Sequence, residues 1–214
     1  MKQFLTFTVL MASLLAHTQT KDGALAGRIQ GTVTDQNGSL VAGATVYAVP
    51  QFSTFESFAS PTVKTDANGQ FDFHKAFQLG TYKIYSRKDA DAYPDRSSSF
   101  YANPKFEAPK VDLTEYDPSA TVEVKLGDKA GVLVGKVIDA DTGVALSAKL
   151  AFIDEDGNGD SVLADGKYRE LLPSDKDLTL MVVVMSPGYR QYPITSLRLQ
   201  PGQEMQMNIS ISKE

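Results

Sequence analysis

Cysteine and tryptophan are absent from this 214-residue chain, and histidine occurs only twice. Without cysteine there is no disulfide staple, no thiol nucleophile and no lipid-modified N-terminal cysteine. One of the two histidines, His17, sits at the end of an N-terminal apolar block, which leaves a single histidine, His74, for the body of the chain. That excludes multi-histidine metal sites and makes any serine triad depend on one imidazole beside Lys75, at a strand-to-loop position. A dominant charge is also lacking: 21 Lys and Arg stand against 26 Asp and Glu, for a formal net charge of −5. A mildly acidic chain is a poor match to nucleic acid or to an anionic membrane surface. Helical periodicity is missing too. After residue 20 no stretch keeps apolar residues at spacings of three and four, and none is apolar enough to cross a bilayer.

What is present begins with Lys2, an apolar run over 4–16 broken only by Thr6, Thr8 and Ser13, and a small-residue polar stretch. This order predicts a secretory signal peptide over 1–20, with Ala16 and Thr18 suited to the positions before the cut and Ala24 and Ala26 offering a later small-x-small site. Losing Lys2 with it takes the formal charge from −5 to −6. A cysteine-free exported chain fits bacterial export, with a periplasmic, secreted or cell-surface destination.

The remainder repeats. GTVTDQNG at 31–38 returns as GKVIDADTG at 135–143, and Gly31, Val33, Asp35, Leu40, Ala44, Val46 and Val49 meet Gly135, Val137, Asp139, Val144, Ala148, Leu150 and Ile153 at one constant offset. Further on, Gly69 and Phe71 correspond to Gly166 and Tyr168, and Tyr93 to Tyr189. Each copy closes on an alternating segment, TVEVKL at 121–126 and MQMNISI at 205–211. At about ninety residues each, the copies are large enough to bury their own cores, so the repeat unit is a domain. Residues 27–127 form the first expected domain and 131–214 the second, joined by a bridge too short to let them wander.

Alternating apolar positions and the dipeptides Asn37-Gly38, Asn68-Gly69, Thr142-Gly143 and Asp165-Gly166 predict short strands that reverse at each glycine. Strands with turn signals roughly every 8 to 12 residues predict an all-β chain of Greek-key sandwiches. Two loops of the first copy, 50–62 and 86–110, exceed their counterparts in the second.

On these residues the chain resembles the carboxypeptidase regulatory-like family. Its pattern opens G-x-V-x-D, continues through G-A-x-V and T-D-x-x-G-x-F, and ends on G-x-Y and a late G-Y. The first copy shows Gly31, Val33, Asp35, Gly43, Ala44, Val46, Thr65, Asp66, Gly69, Phe71, Gly80 and Tyr82, with Ala92 in place of the late glycine before Tyr93. The second keeps Gly135, Val137, Asp139, Gly143, Ala148, Asp165, Gly166, Gly188 and Tyr189, but carries Ser147, Lys149 and Leu150 in the small-residue strand, Tyr168 for the phenylalanine, and no G-x-Y. The resemblance implies two tandem transthyretin-like β-sandwich domains acting as folding, spacing or binding modules. Every recurring residue is a turn former or an inward apolar one, so the motif carries architecture and leaves function to the loops.

Three chemical candidates stand apart from that skeleton. Asp154, Asp156, Asn158, Gly159 and Asp165, with Asp160 among them, occupy the spacing of an EF-hand-like calcium loop. The departures are Ser161 at the apolar anchor, Val162 at a donor position and no following helix; the competing reading is a solvated Asp- and Gly-rich turn. Calcium, if bound, would be weak and structural, and no other cofactor is expected. Lys136 and Asn208 invite comparison with the Lys–Asn isopeptide bond of Cna-B-type sandwiches, but the register puts Ile138 where that lysine belongs and Val182 near the expected glutamate, so no such bond is expected. Finally, Phe52, Phe55 and Phe58 in one loop and Tyr93, Phe100, Tyr101 and Phe106 in the other offer an aromatic platform for a sugar or peptide; the alternative is that they cap the sandwich or pack on the second domain. The expected function is a non-enzymatic exported structural or binding module of the bacterial cell envelope that contacts an envelope protein or carbohydrate through its loops. The alternatives are a calcium-stabilised adhesion module and an accessory domain protein of an exported hydrolase.

Overall fold

Ile29, Gly31 and Val33 turn inward along β1 (Arg28–Thr34) while Arg28 and Gln30 stay in solvent, the period of two that a half-buried strand requires. The computed structural model describes residues 26–51, 60–103 and 105–213; the expected signal segment 1–20 and Phe52, Phe55 and Phe58 lie outside them. The first unit continues with β2 (Thr45–Pro50), β3 (Thr62–Lys64), β4 (Gln70–Asp72), β5 (Gly80–Arg87), β6 (Lys110–Leu113) and β7 (Ser119–Lys125). The second holds β8 (Gly131–Asp139), β9 (Ser147–Asp154), β10 (Gly159–Asp165), β11 (Lys167–Leu172), β12 (Leu178–Val184), β13 (Tyr192–Leu197), β14 (Glu204–Gln206) and β15 (Ile209–Ile211). Among the described residues helix is limited to two three-residue 3₁₀ turns, Asp89–Asp91 and Ser99–Tyr101. Among the described residues no helix is long and apolar enough to cross a membrane.

The chain is all-β, as its patterning predicts, and each unit is a Greek-key sandwich. In the first, a three-stranded sheet β4-β1-β7 faces a four-stranded sheet β3-β2-β5-β6; in the second, β11-β8-β14 faces β10-β9-β12-β13, with β15 also on β8. The two orders are the same strand for strand. In both units the first strand pairs in parallel with the last, β1 with β7 and β8 with β14 and β15.

The glycine turns need one correction. Asn37-Gly38 and Thr142-Gly143 reverse the chain only locally, through the bridges Thr34↔Leu40 and Ile138↔Ala145. The strands that follow belong to the opposite sheet. Asn68-Gly69 and Asp165-Gly166 likewise separate strands of different sheets, so these turns carry the chain across the sandwich and do not close hairpins.

A shared close approach explains the glycine that opens each copy. A Cβ on Gly31 would lie 1.8 Å from the carbonyl oxygen of Val122, and one on Gly135 would lie 1.7 Å from that of Met207. The cross-strand partner on the other side is Phe71 for Gly31 and Tyr168 for Gly135. No side chain fits between a central strand and its parallel neighbour there.

Each unit has its own apolar core. Ile29, Val33, Val46, Phe71, Ile84 and Leu126 anchor the first, and Leu133, Leu150, Phe152, Leu180, Val182 and Ile209 the second. The bridge between them is held from both sides: Ala130 N donates to Ala92 O at 2.8 Å, Gly202 N to Ala130 O at 3.0 Å, and Ser174 Oγ to Lys129 O at 2.9 Å. Leu126, Gly127 and Ala130 are buried.

Candidate functional site

The long connection between β5 and β6 is clamped to its own unit before it reaches the other. Asp95 accepts from the Tyr47 hydroxyl, from Ser97 N at 2.9 Å and from Ser97 Oγ at 2.8 Å. Burial first, and then that carboxylate, push the Tyr47 phenol up. Tyr47 in turn stacks on Tyr85 at 5.5 Å. From this anchor, Ser98 accepts from Phe100 N at 3.3 Å and the chain turns outward.

Phe100 then enters the core of the second unit and is only 1% exposed. Tyr101 packs beside it, edge-on at 5.1 Å, and donates its hydroxyl to Leu171 O at 2.5 Å. Tyr93 is buried in the first core, with Lys129 Nζ 5.3 Å from its ring centroid. Phe106 is half-buried, with the Arg96 guanidinium 4.8 Å from its centroid. Of the expected platform, Tyr93 and Phe100 are buried while Tyr101 and Phe106 are half-buried, and Phe100 follows the alternative of packing on the second unit. These side chains are spent on burial, because the second sandwich offers Phe100 more apolar surface than solvent does.

The acidic segment 154–165 folds as a hairpin. Ile153 pairs with Gly159, and Asp165 pairs with Ser147 at the other end of β10. Asp165 ends the seven-residue strand that leaves the turn at Gly159, six steps or roughly 20 Å away at about 3.3 Å per residue, so it cannot share a cation with Asp154. Asp154 itself is buried; its Oδ1 accepts from Asp156 N at 3.1 Å and Asn158 N at 2.8 Å, and its Oδ2 from Lys176 Nζ at 3.0 Å. Burial alone would raise this carboxyl, but the bonds from Lys176 and Asn158 outweigh it and hold it below the usual range. Asp156 and Asp160 do not converge on it: among the described residues no group of three or more Asp, Glu or His is placed to hold a metal.

The same turn recurs elsewhere without calcium spacing. Asp35 accepts from Asn37 N and Ser39 N, Asp66 from Asn68 N and Gln70 N, and Asp139 from Asp141 N and Thr142 N. Gly38, Gly69, Gly143 and Gly157 follow at φ between +70° and +81°. An aspartate folding back on the next amides with a left-handed glycine behind it accounts for all four. In the second unit Tyr189 adds a bond to Asp139 Oδ2 at 2.5 Å, and Asp139 is held down to about 2, first by that tyrosine and then by Thr142.

His74 lies on the surface, its Nδ1 3.5 Å from Asp72, which already pairs with Arg28. Lys136 and Asn208 are both exposed, while Val182 is in the core, so no buried lysine, asparagine and carboxylate are brought together.

One feature has no signature in the sequence. A cavity of about 720 Å³ opens between the two units, lined among others by Arg96, Asn103, Lys105, Asn158 and Asp175. Arg96 rests between the Phe106 ring and Gly127, where an added Cβ would come 2.4 Å from its Nη1. Its Nε and Nη1 are buried and have no acceptor among the described residues. Burial lowers the guanidinium's pKa, and Asp128 opposes that without forming an ion pair.

No curated protein matches the chain. Among solved structures, the Bacillus anthracis TIE protein is 14% identical with a TM-score of 0.34 over 88% of this chain, and a streptococcal ancillary pilin is 17% identical with a TM-score of 0.35 over the same share. The chain spans 34% and 62% of those two. The shaft pilin SpaA from Lactobacillus rhamnosus GG is 12% identical at a TM-score of 0.35, covering 88% of this chain and 98% of that one. Residues 28–103, which run from β1 through the Phe100–Tyr101 arm, match the model of the carboxypeptidase regulatory-like domain.

Proposed function

We propose that this chain is a non-catalytic exported module of the bacterial cell envelope, in which two sandwiches lock into one stiff spacer whose loops meet a protein or a glycan. The observation that carries this reading is Phe100, a residue of the first unit buried in the core of the second. Domains meant to swing are joined by exposed polar linkers. Here Gly127 and Ala130 of the linker are buried, Asp128 and Lys129 are half-buried, and the segment is hydrogen-bonded on both sides. Because the first and last strands of a unit run in parallel, the chain enters at one end of each sandwich and leaves at the other, which sets the units end to end. The groups that would do chemistry are occupied in turns and ion pairs: Asp35, Asp66, Asp139 and Asp154 hold backbone amides, and His74 faces solvent. Export follows from the charge and apolar pattern of 1–20.

Small-angle X-ray scattering on the mature chain tests this reading. Wild type is expected to scatter as one elongated particle of fixed maximum dimension, and Phe100→Ala to broaden that distribution. A wild type that scatters as two loosely tethered bodies sinks the spacer. Turnover in a panel of generic hydrolase substrates, lost in His74→Ala, would overturn the non-catalytic part.

A further inference from the structure

The outer faces of the two large sheets differ in a way their shared strand order does not require. Along β9 and β12 the core takes Leu150, Phe152, Leu180 and Val182, so Ala151, Ile153, Met181 and Val183 point away from it. Leu163 on β10, opposite the exposed Lys149, and Pro193 on β13, opposite Met181, carry the apolar face across all four strands. Leu163 is 71% exposed and Ile153 41%. An antiparallel sheet with one face on a core ordinarily shows polar side chains on the other. The first unit keeps that rule: Lys64, Lys83, Arg87 and Lys110 stand on the corresponding face, and its aromatic pair, Tyr47 on Tyr85, is closed off by Asp95.

Shape and charge decide what covers this face. Its four strands of six to eight residues, at about 3.3 Å per residue and about 4.8 Å apart, make it roughly 20 by 19 Å, an area of about 400 Å² in projection. A broad face without a groove is matched by another sheet of the same twist, since two such sheets pack in near alignment about 10 Å apart. The first unit's sheet does not serve, because covering it would bury four cations. The second unit's own sheet does. Its margins carry both signs, Lys149 near Asp165 at one end and the Arg198–Asp177 pair at the other, so two copies need not set like charge against like charge. We infer that the outer face of β10-β9-β12-β13 is a self-association surface, on which two copies of this chain pair sheet to sheet about a two-fold axis. About 400 Å² from each copy, or about 800 Å² in total, lies below the roughly 1,200 Å² of stable complexes, so the pair is weak and forms at high local concentration. This sets two spacers side by side and does not depend on their stiffness, which scattering on the monomeric Met181→Lys tests separately.

Sedimentation velocity on the mature chain, from about 10 μM to about 1 mM, tests the inference. The chain is expected to pass from one copy to two across that range, and to do so equally in about 1 M salt, where a contact held by ion pairs weakens. Met181→Lys sets a charge in the middle of the face; it should weaken association at least about tenfold and keep the melting temperature of the dilute wild type. Should Met181→Lys not fold, Leu163→Lys, at a 71% exposed position, takes its place. Thr62→Lys, on the corresponding face of the first unit, should leave association unchanged. A single copy at every concentration, association that neither lysine variant of the second unit weakens, or an equal loss in Thr62→Lys would each overturn the pairing. A chain that stays single but sediments with phosphatidylglycerol vesicles, and ceases to in Met181→Lys, would give the face to a membrane and overturn it as well.

Discussion

The two sandwiches share a strand order and differ in what they do with their loops. The first carries a long connection over 88–109 between β5 and β6; the second joins β12 to β13 through 185–191. The first unit lends Phe100 and Tyr101, and the second receives them. At the late tyrosine the units part again. Tyr189 bonds Asp139, while Tyr93 is turned into its own core beneath Lys129. Ala92 and Gly188, just before those tyrosines, both adopt positive φ, at 64° and 91°. The repeated positions thus build the body of each unit, and the departures from repetition build the relation between the units.

The largest expected effect is asymmetric. Phe100→Ala should cost about 3–5 kcal/mol, the usual range for emptying a buried phenylalanine site. Denaturation followed by amide exchange should place the loss in β8 to β15 although the residue belongs to the first unit. Equal weakening of both units, or of the first alone, would break the donor and acceptor picture.

Symmetry is tested next. Gly31→Ala and Gly135→Ala each force a methyl onto a carbonyl oxygen of the neighbouring parallel strand, so each should destabilise its unit by about 1–3 kcal/mol or more. Chemical denaturation of both variants is the check, and a tolerated substitution in one unit alone would show that the close approach is not shared.

A smaller difference should appear in acid. Asp139 has its folded pKa lowered to about 2, below the roughly 3.9 of an unfolded aspartate, so its stabilisation is complete above the unfolded value and disappears as pH falls through about 2. Its partner Tyr189 is raised to about 12, first by the bond to Asp139, so that side of the pair is lost only as pH climbs through the alkaline range. The gap in melting temperature between wild type and Asp139→Asn should be widest near neutrality and close toward pH 2.

The smallest expected effect concerns calcium. Millimolar calcium or chelator should leave the melting temperature unchanged, because Asp154 is filled by Lys176 and loop amides and Asp165 is a strand's length away. A calcium-induced rise that Asp154→Asn removes would reinstate the metal reading.

The body of each sandwich was legible because turn glycines and period-two apolar residues act locally: Gly38 and Gly143 needed positive φ, and Val33 and Val137 needed a core. Phe100 was not legible, since an aromatic among serines reads as exposed until a partner surface from seventy residues further along the chain covers it; Tyr101 meets Leu171 at that separation. Asp154 was ambiguous for a related reason. The same donor spacing serves a cation loop and an aspartate turn, and only the pairing of β10 with β9 tells them apart. Arg96 carried no local signal, because its isolation arises from Phe106 and Gly127 closing around it.

The parallel pairing of β1 with β7, in register from Arg28↔Ser119 to Thr34↔Lys125, has a mechanical consequence. Tension applied along the chain loads that ladder lengthwise, so its hydrogen bonds must fail together in shear and cannot be unzipped singly. The second unit repeats the arrangement through β8, β14 and β15, which makes the pair two shear-loaded clamps in series.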